Sequence, residues 1–328
     1  MNIYDIANEA GVSIATVSRV INNKPNIHPK TVKKVKAVLE KHNYVPSSIA
    51  RGLVLKSLRL VGIVLDDIRN LHYTKTAYTI EQALAKQDYR CIVCNVNGRN
   101  PEAMLKMLAE SQVDGVIIVG SSFMNEYTEA AIKNYHADHP VVIVNGYLPL
   151  DNVCSILCDD RDGIAQSVEH LIQKGHRKIL YIHDNDTDSA ERKLDGYRTA
   201  MFKNGLTEFD EWIVKSPVGF DGGKVAGAEV LKRFGHDFTA VVCAEDTTAL
   251  GLMRVLEKDG LTIPEDVAVT GYSNSFFGKI TAQILTTVDT KLETLGSEAA
   301  RALCDRFEGK DRPDKLTVSP ELLIGDTT

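Results

Sequence analysis

The 328-residue chain has no apolar run approaching the length of a membrane span. Its N-terminus opens into a polar, basic helix, without the apolar core of a signal peptide. Both absences point to a soluble, cytoplasmic protein with no membrane partner. Cysteine is scarce, with six in all. Cys91 and Cys94 form a C-x-x-C, but residues 89–96 read as a strand, where an offset of three turns side chains to opposite faces. No second pair stands at a zinc-binding spacing, so free thiols are expected. Catalytic and metal signatures are missing as well. Asp184, Asp186 and Asp188 begin like a calcium loop, yet Ser189 replaces its turn glycine and Asp195 its closing glutamate. Residues 271–279 fail as a phosphate loop, because six residues separate the glycines instead of four and Ile280 replaces the magnesium-binding hydroxyl. His136 and His139 follow a helix in a polar segment and read as surface histidines. With no nucleophile elbow and no H-E-x-x-H, neither an enzyme, a cofactor nor a metal site is expected.

What is present is concentrated at the start. Ile3, Ile6, Ala7 and Ala10 recur at helical spacing, and Gly11 ends that helix. Ser13 offers an N-cap to a second helix, whose Val17, Val20 and Ile21 face the first. Two short helices on a tight glycine turn make a helix-turn-helix, with Ile14, Ala15, Thr16, Ser18 and Arg19 on the free side of the second. Arginine bridges two acceptors on a guanine edge, while small apolar groups and threonine methyls touch thymine methyls. A third helix at 31–42 turns Val32, Val35 and Leu39 inward and carries Lys30, Lys33, Lys34, Lys36 and Lys41 around its edge, suited to phosphates. Residues 1–56 hold nine basic and three acidic residues, a net of +6, against −12 for the remainder. That split marks a nucleic-acid-binding head on an acidic body.

Residues 4–22, followed by N-Y-V-P-S-S-I-A-R-G-L at 43–53, resemble the LacI/GalR (lactose-repressor-like) family of transcription regulators. The resemblance implies a hinge helix after Pro46 that folds when two subunits meet on operator DNA. It makes Ile14, Ala15 and Arg19 base readers in the major groove and Leu53 a wedge in the minor groove, with Ala50 beside it against its dimer counterpart. Local physics agrees: Pro46 starts a helix well, whereas Gly52 weakens so short a one. The expected organisation is a DNA-binding domain at 1–45, a hinge helix and linker at 46–57, and an effector-binding and dimerisation domain at 58–328.

From residue 58 onward short apolar runs alternate with amphipathic helices. Strands are expected at 60–65, 89–95, 115–119, 141–145, 179–183, 212–215, 240–244 and 267–271. Helices are expected at 77–86, 103–110, 163–174, 191–204 and 247–258. Such alternation gives parallel sheets covered on both faces, here as two open α/β lobes, with ligands at the carboxyl ends of the strands. Further matches to the family (V-D-G-V-I-I, H-L-I-Q-K-G-H-R-K-I, T-A-L-G, L-T-T-V) extend the resemblance over the whole chain. The implied fold is a small all-α helix-turn-helix head on an α/β two-lobed, periplasmic-binding-protein-like body with two parallel doubly wound sheets. Lobe 1 takes about 58–158 and 289–318, and lobe 2 about 159–288 and 319–328. The chain crosses between them near Asp159, Val288 and Val318.

The resemblance also implies effector-binding residues. Arg192 matches an arginine that clamps ligand hydroxyls or carboxylates; its alternative is a surface ion pair with Glu191 or Asp195. His72 and Tyr73 occupy a turn where an aromatic ring stacks on the ligand, and Phe220 holds another aromatic position. Asn145, Ser121 and Ser122 end strands, and each equally suits an ordinary loop. Ser273 stands where sugar-responsive members carry a diol-gripping aspartate, Glu245 where many carry asparagine, and Thr290 where some carry glutamine. The expected protein is a homodimeric, nucleoid-associated repressor of carbohydrate-related genes on a near-palindromic operator, responding to a sugar or sugar phosphate. The alternative is a non-sugar effector or a phosphoprotein co-regulator acting on a protein whose sugar pocket is degenerate. No leucine-heptad tail follows the body, so a dimer is expected over a tetramer.

Overall fold

The computed structural model describes residues 2–21, 25–42, 57–207 and 210–328. They belong to two compact units, Met1–Arg59 and Leu60–Thr328. The hinge helix expected after Pro46, with Ala50 and Leu53, lies outside the described residues.

In the first unit, α1 (Ile3–Ala10) begins at Asn2. The Asn2 side chain accepts from the backbone N–H groups of Tyr4 and Asp5, at 2.9 and 3.1 Å, and the Asp5 carboxylate accepts from the Asn2 N–H at 2.8 Å. This reciprocal cap satisfies donors that the first turn leaves without helical partners. Gly11 turns the chain at φ 59°, a left-handed conformation that glycine adopts without strain. Ser13 Oγ then accepts from the Thr16 N–H at the start of α2 (Ile14–Ile21). The third helix, α3 (Pro29–Lys41), starts earlier than its apolar pattern indicates, because His28 caps it and Pro29 suits a first turn. Ile6, Ala7, Ala10, Val17, Val20, Val35 and Val38 form one buried cluster.

The second unit holds two six-stranded sheets. The first is built from β1 (Leu60–Leu65), β2 (Arg90–Asn95), β3 (Gly115–Val119), β4 (Val141–Val144), β5 (Val153–Cys158) and β11 (Lys315–Val318). Its order is β11-β5-β4-β3-β1-β2, parallel throughout. The second contains β6 (Ile179–His183), β7 (Ile213–Lys215), β8 (Ala240–Cys243), β9 (Ala268–Tyr272), β10 (Thr286–Asp289) and β12 (Glu321–Leu323). Its order is β12-β10-β9-β8-β6-β7, with only β12 antiparallel.

Helices cover both faces of each sheet, and the alternation along the strands assigns side chains to one layer or the other. Val61, Ile63 and Leu65 pack with α4 (Leu71–Ala85) and α12 (Leu292–Phe307). Val64 packs on the other side with α5 (Glu102–Glu110) and α6 (Glu126–Tyr135). In the second sheet Ile179 and Tyr181 meet α7 (Asp160–Gln173) and α8 (Asp188–Lys203), whereas Leu180 and Ile182 meet α9 (Gly219–Phe234) and α10 (Asp246–Lys258). Cys91 and Cys94 follow the same alternation: Cys91 joins the α4 side and Cys94 the α5 side, both as free thiols.

Several elements are absent from the sequence reading: β5, β10, β11, β12, α9, α11 (Phe276–Ile280) and α12. The reason is clearest for α9, whose segment G-F-D-G-G-K-V-A-G carries glycines that argue against a helix on propensity alone. They serve packing instead. A Cβ on Gly223 would run into the Thr248 carbonyl oxygen of α10, and one on Gly251 of α10 into the Phe220 carbonyl oxygen. One expectation is corrected outright. His136 is 1% exposed, not a surface histidine. Its Nε2 hydrogen-bonds the Leu105 carbonyl of α5 at 2.9 Å, which pulls the end of α6 under that helix. Burial lowers its pKa, with the Leu105 bond opposing.

Candidate DNA-reading face and interlobe cleft

On the first unit, burial of Val17 and Val20 fixes the rotation of α2. Ile14, Ala15 and Arg19 are exposed, and Thr16 and Ser18 sit at the margin. Lys30, Lys33, Lys34 and Lys36 are exposed on and beside α3. Lys41 differs from them, because it pairs with Glu9 at 2.7 Å, and His42 meets the same carboxylate at 2.7 Å. Those partners hold the Glu9 pKa below its ordinary value, the Lys41 hydrogen bond most strongly and against the cost of burial.

In the second unit a cavity of about 920 Å³ opens between the lobes. Lobe 1 contributes Asn70, His72, Tyr78 and Leu292, and lobe 2 contributes Glu245, Ser273, Asn274 and Phe276. The lobe 2 groups follow the carboxyl ends of β8 and β9, where an open parallel sheet presents backbone and side-chain polar groups. Beside them lies a buried network centred on Asp160, the first residue of α7, which is 0% exposed. Its carboxylate accepts from Ser189 Oγ at 2.7 Å, Arg192 at 2.8 Å and the Tyr272 hydroxyl at 2.7 Å. Arg192 therefore pairs with Asp160 and with neither Glu191 nor Asp195; the latter meets Arg161 instead. Lys193 donates to the Ala244 carbonyl at 2.9 Å, and its ammonium lies 4.1 Å from the Tyr272 ring centroid.

Three further carboxyls gather at the ends of the lobe 2 strands. Glu245 caps α10, accepting from the N–H groups of Thr247 and Thr248. Asp184 accepts from Thr248 Oγ1 at 3.3 Å. Asp246 accepts from the Ser275 N–H at 2.6 Å and from Thr287 Oγ1, tying the 273–275 loop to β10. Burial raises the pKa of all three, that of Asp246 to about 7. Across the cleft, burial pushes His72 down to about 4, with the Lys193 ammonium adding to the effect and Asp160 opposing it. The His72 ring is therefore neutral at physiological pH.

The remaining residues singled out in the sequence are distributed as follows. Tyr73 meets His72 edge-on at 5.7 Å and packs against Gly120 after β3. Ser121 begins a 3-10 turn there. Asn145, at φ 62°, accepts from the Cys158 N–H at 2.8 Å, which commits its carbonyl to joining the ends of β4 and β5. Phe220 is brought to a separate groove, with Leu250, Met253 and Arg254. Sequence reasoning missed Asp160, Asp184, Lys193, Asp246 and Tyr272. Asp184 and Asp246 carried a usable signal, since each directly follows or nearly follows an expected strand. Asp160 did not, because β5 itself went unread.

A helix-turn-helix whose second helix leaves one face exposed, and a two-lobed body with a cleft at its strand ends, are the architecture of a DNA-binding regulator. Comparison with known proteins agrees. The family described as bacterial regulatory proteins, lacI family, matches residues 2–47, and the periplasmic binding protein-like domain matches residues 168–328. An HTH-type transcriptional regulator of Lachnoclostridium phytofermentans is 35% identical, over 100% of this chain and 99% of its own. The HTH-type transcriptional repressor PurR of Vibrio vulnificus is 32% identical, over 99% and 98% respectively. Among solved structures, the transcriptional regulator CelR–cellobiose complex superposes with a TM-score of 0.75 at 27% identity, covering 100% of both chains. The chain belongs to the lacI family of bacterial regulatory proteins and is a DNA-binding transcription regulator, not an enzyme. Among the described residues no helix is long and apolar enough to cross a membrane.

Proposed function

We propose that the protein represses carbohydrate-related genes, binding a near-palindromic operator as a homodimer, with an affinity set by a sugar or sugar phosphate held between the lobes. The cleft carries this reading. Glu245, Ser273 and Asn274 offer polar groups on its lobe 2 side, whereas Leu71, Tyr78 and Phe276 form apolar walls. A sugar ring presents the matching chemistry, hydroxyls around its edge and C–H groups on its faces. Arg69, Lys75 and Lys279 also line the cavity and suit a phosphate. The cellobiose complex of the related regulator supports a carbohydrate. In this reading His72, Glu245 and Ser273 meet the effector, Arg192 acts from the Asp160 network beside the cavity, and Ile14, Ala15, Thr16, Ser18 and Arg19 read the major groove.

Two measurements test it. Operator binding followed by fluorescence anisotropy, on the promoter of the protein's own gene, is titrated with sugars and sugar phosphates. One of these compounds is expected to shift the affinity, and Arg192→Ala to abolish that shift. Tight binding that no compound alters overturns the small-molecule effector and leaves a phosphoprotein co-regulator as the input. Arg19→Ala is expected to cost about 1–3 kcal/mol of operator affinity and to relax preference at one base pair. A uniform loss across all DNA sequences would make Arg19 a phosphate contact instead.

A further inference from the structure

The calcium-loop pattern at 184–188 does not assemble: Asp184 turns inward to Thr248 and Asn185. The fold builds a different set beside it. His183 ends β6 and is 3% exposed. Its Nε2 lies 3.4 Å from an Asp186 carboxylate oxygen and 3.6 Å from a Glu191 oxygen, and the three ligand atoms all fall within 4.8 Å of one another. Both distances are long for a strong hydrogen bond. They match the separation of about 3.4 Å that a tetrahedral zinc ion, bound at 2.0–2.2 Å, imposes on its nitrogen and oxygen donors. The imidazole is immobilised by burial, while Asp186 and Glu191 are exposed and leave an entry path from solvent.

We infer that His183, Asp186 and Glu191 form a binding site for a divalent cation of the zinc class, with water completing the coordination. One imidazole and two carboxylates suit zinc better than calcium, which prefers six or more oxygens. Two features set its strength. Nδ1 of His183 is buried without an acceptor among the described residues, so the second-shell bond that normally strengthens a histidine ligand is missing. Lys215 competes, its ammonium resting 3.2 Å from the same Asp186 oxygen. Both favour reversible binding over a permanent structural ion. Occupancy would fasten the loop after β6 to the first turn of α8, the helix that carries Arg192 and Lys193.

Titration calorimetry of the full chain with zinc chloride tests this. Wild type is expected to show one site that Asp186→Asn and Glu191→Gln each weaken about tenfold or more. Lys215→Gln removes a cation from the site and is expected to tighten binding about threefold. This opposite response separates a built site from diffuse surface binding. The thiols are unchanged in all three variants, so zinc held by cysteine contributes equally to each. Asp186 and Glu191 are exposed, and a thermal melt verifies that each variant is folded. Either absence of binding, or equal affinity and stoichiometry in wild type and both carboxylate variants, overturns the site.

Discussion

Asp160→Ala is expected to destabilise the body by about 3–5 kcal/mol, the range for removing one partner of a buried ion pair. Asp160 is wholly buried and accepts from Ser189, Arg192 and Tyr272. Alanine would leave the Arg192 guanidinium without its carboxylate, beside an Nε that already lacks a partner. The buried Tyr272 hydroxyl would keep only the Cys158 sulfur, 3.7 Å away. Arg192 retains some solvent access, which places the cost toward the lower end of the range. Asp160→Asn keeps an acceptor but no charge and is expected to cost less. Urea unfolding followed by circular dichroism measures both variants. A loss under about 1 kcal/mol for alanine would mean that water replaces the carboxylate at little cost. The same three bonds tie the entry of α7 to α8 and β9, so effector response is expected to fall along with stability.

Asp246→Asn is expected to make the protein less sensitive to pH. Burial raises the Asp246 carboxyl from its ordinary 3.8 to about 7, against the opposing bonds from Thr287 and Ser275. Between those values the native state holds a proton that the unfolded chain has released, so stability falls as pH rises. The contribution is complete below 3.8 and gone above about 7, and amounts to roughly 4 kcal/mol in all. Roughly 2–3 kcal/mol of it falls between pH 5 and 8. Asp184 and Glu245 shift in the same direction, so only the difference between wild type and Asp246→Asn isolates this group. Denaturant melts at pH 5, 6, 7 and 8 are expected to show that difference moving in favour of asparagine. Parallel curves would show that Asp246 ionises as freely in the native protein as in the unfolded chain. Because Asp246 holds the Ser275 N–H, the 273–275 edge of the cleft is expected to respond to the same titration.

Much of the fold was legible because local spacing carries it. The apolar positions of α1 and α2, the glycine between them and the Ser13 cap are neighbours in sequence, and they are neighbours in the structure. The same holds for central strands such as β1 and β3, whose continuous apolar runs reflect burial on both faces. Edge and late strands were not legible. β11 and β12 are short and half-exposed, so neither alternation nor an apolar run marks them. The helix α9 was hidden for the opposite reason: its glycines are dictated by a neighbouring helix.

The sequence by itself therefore determined the head, the parallel α/β character of the body and the face of α2 left free, since each follows from helical or strand periodicity. Only the tertiary structure decided which charged groups meet. Asp160, Arg192 and Tyr272 are up to 112 residues apart and converge because α7 and α8 pack together against the second sheet beside the end of β9. It likewise buried His136 under α5 and carried Phe220 to a different groove. No short-range pattern encodes such meetings, because the order of strands in a sheet is settled by packing between segments remote in sequence.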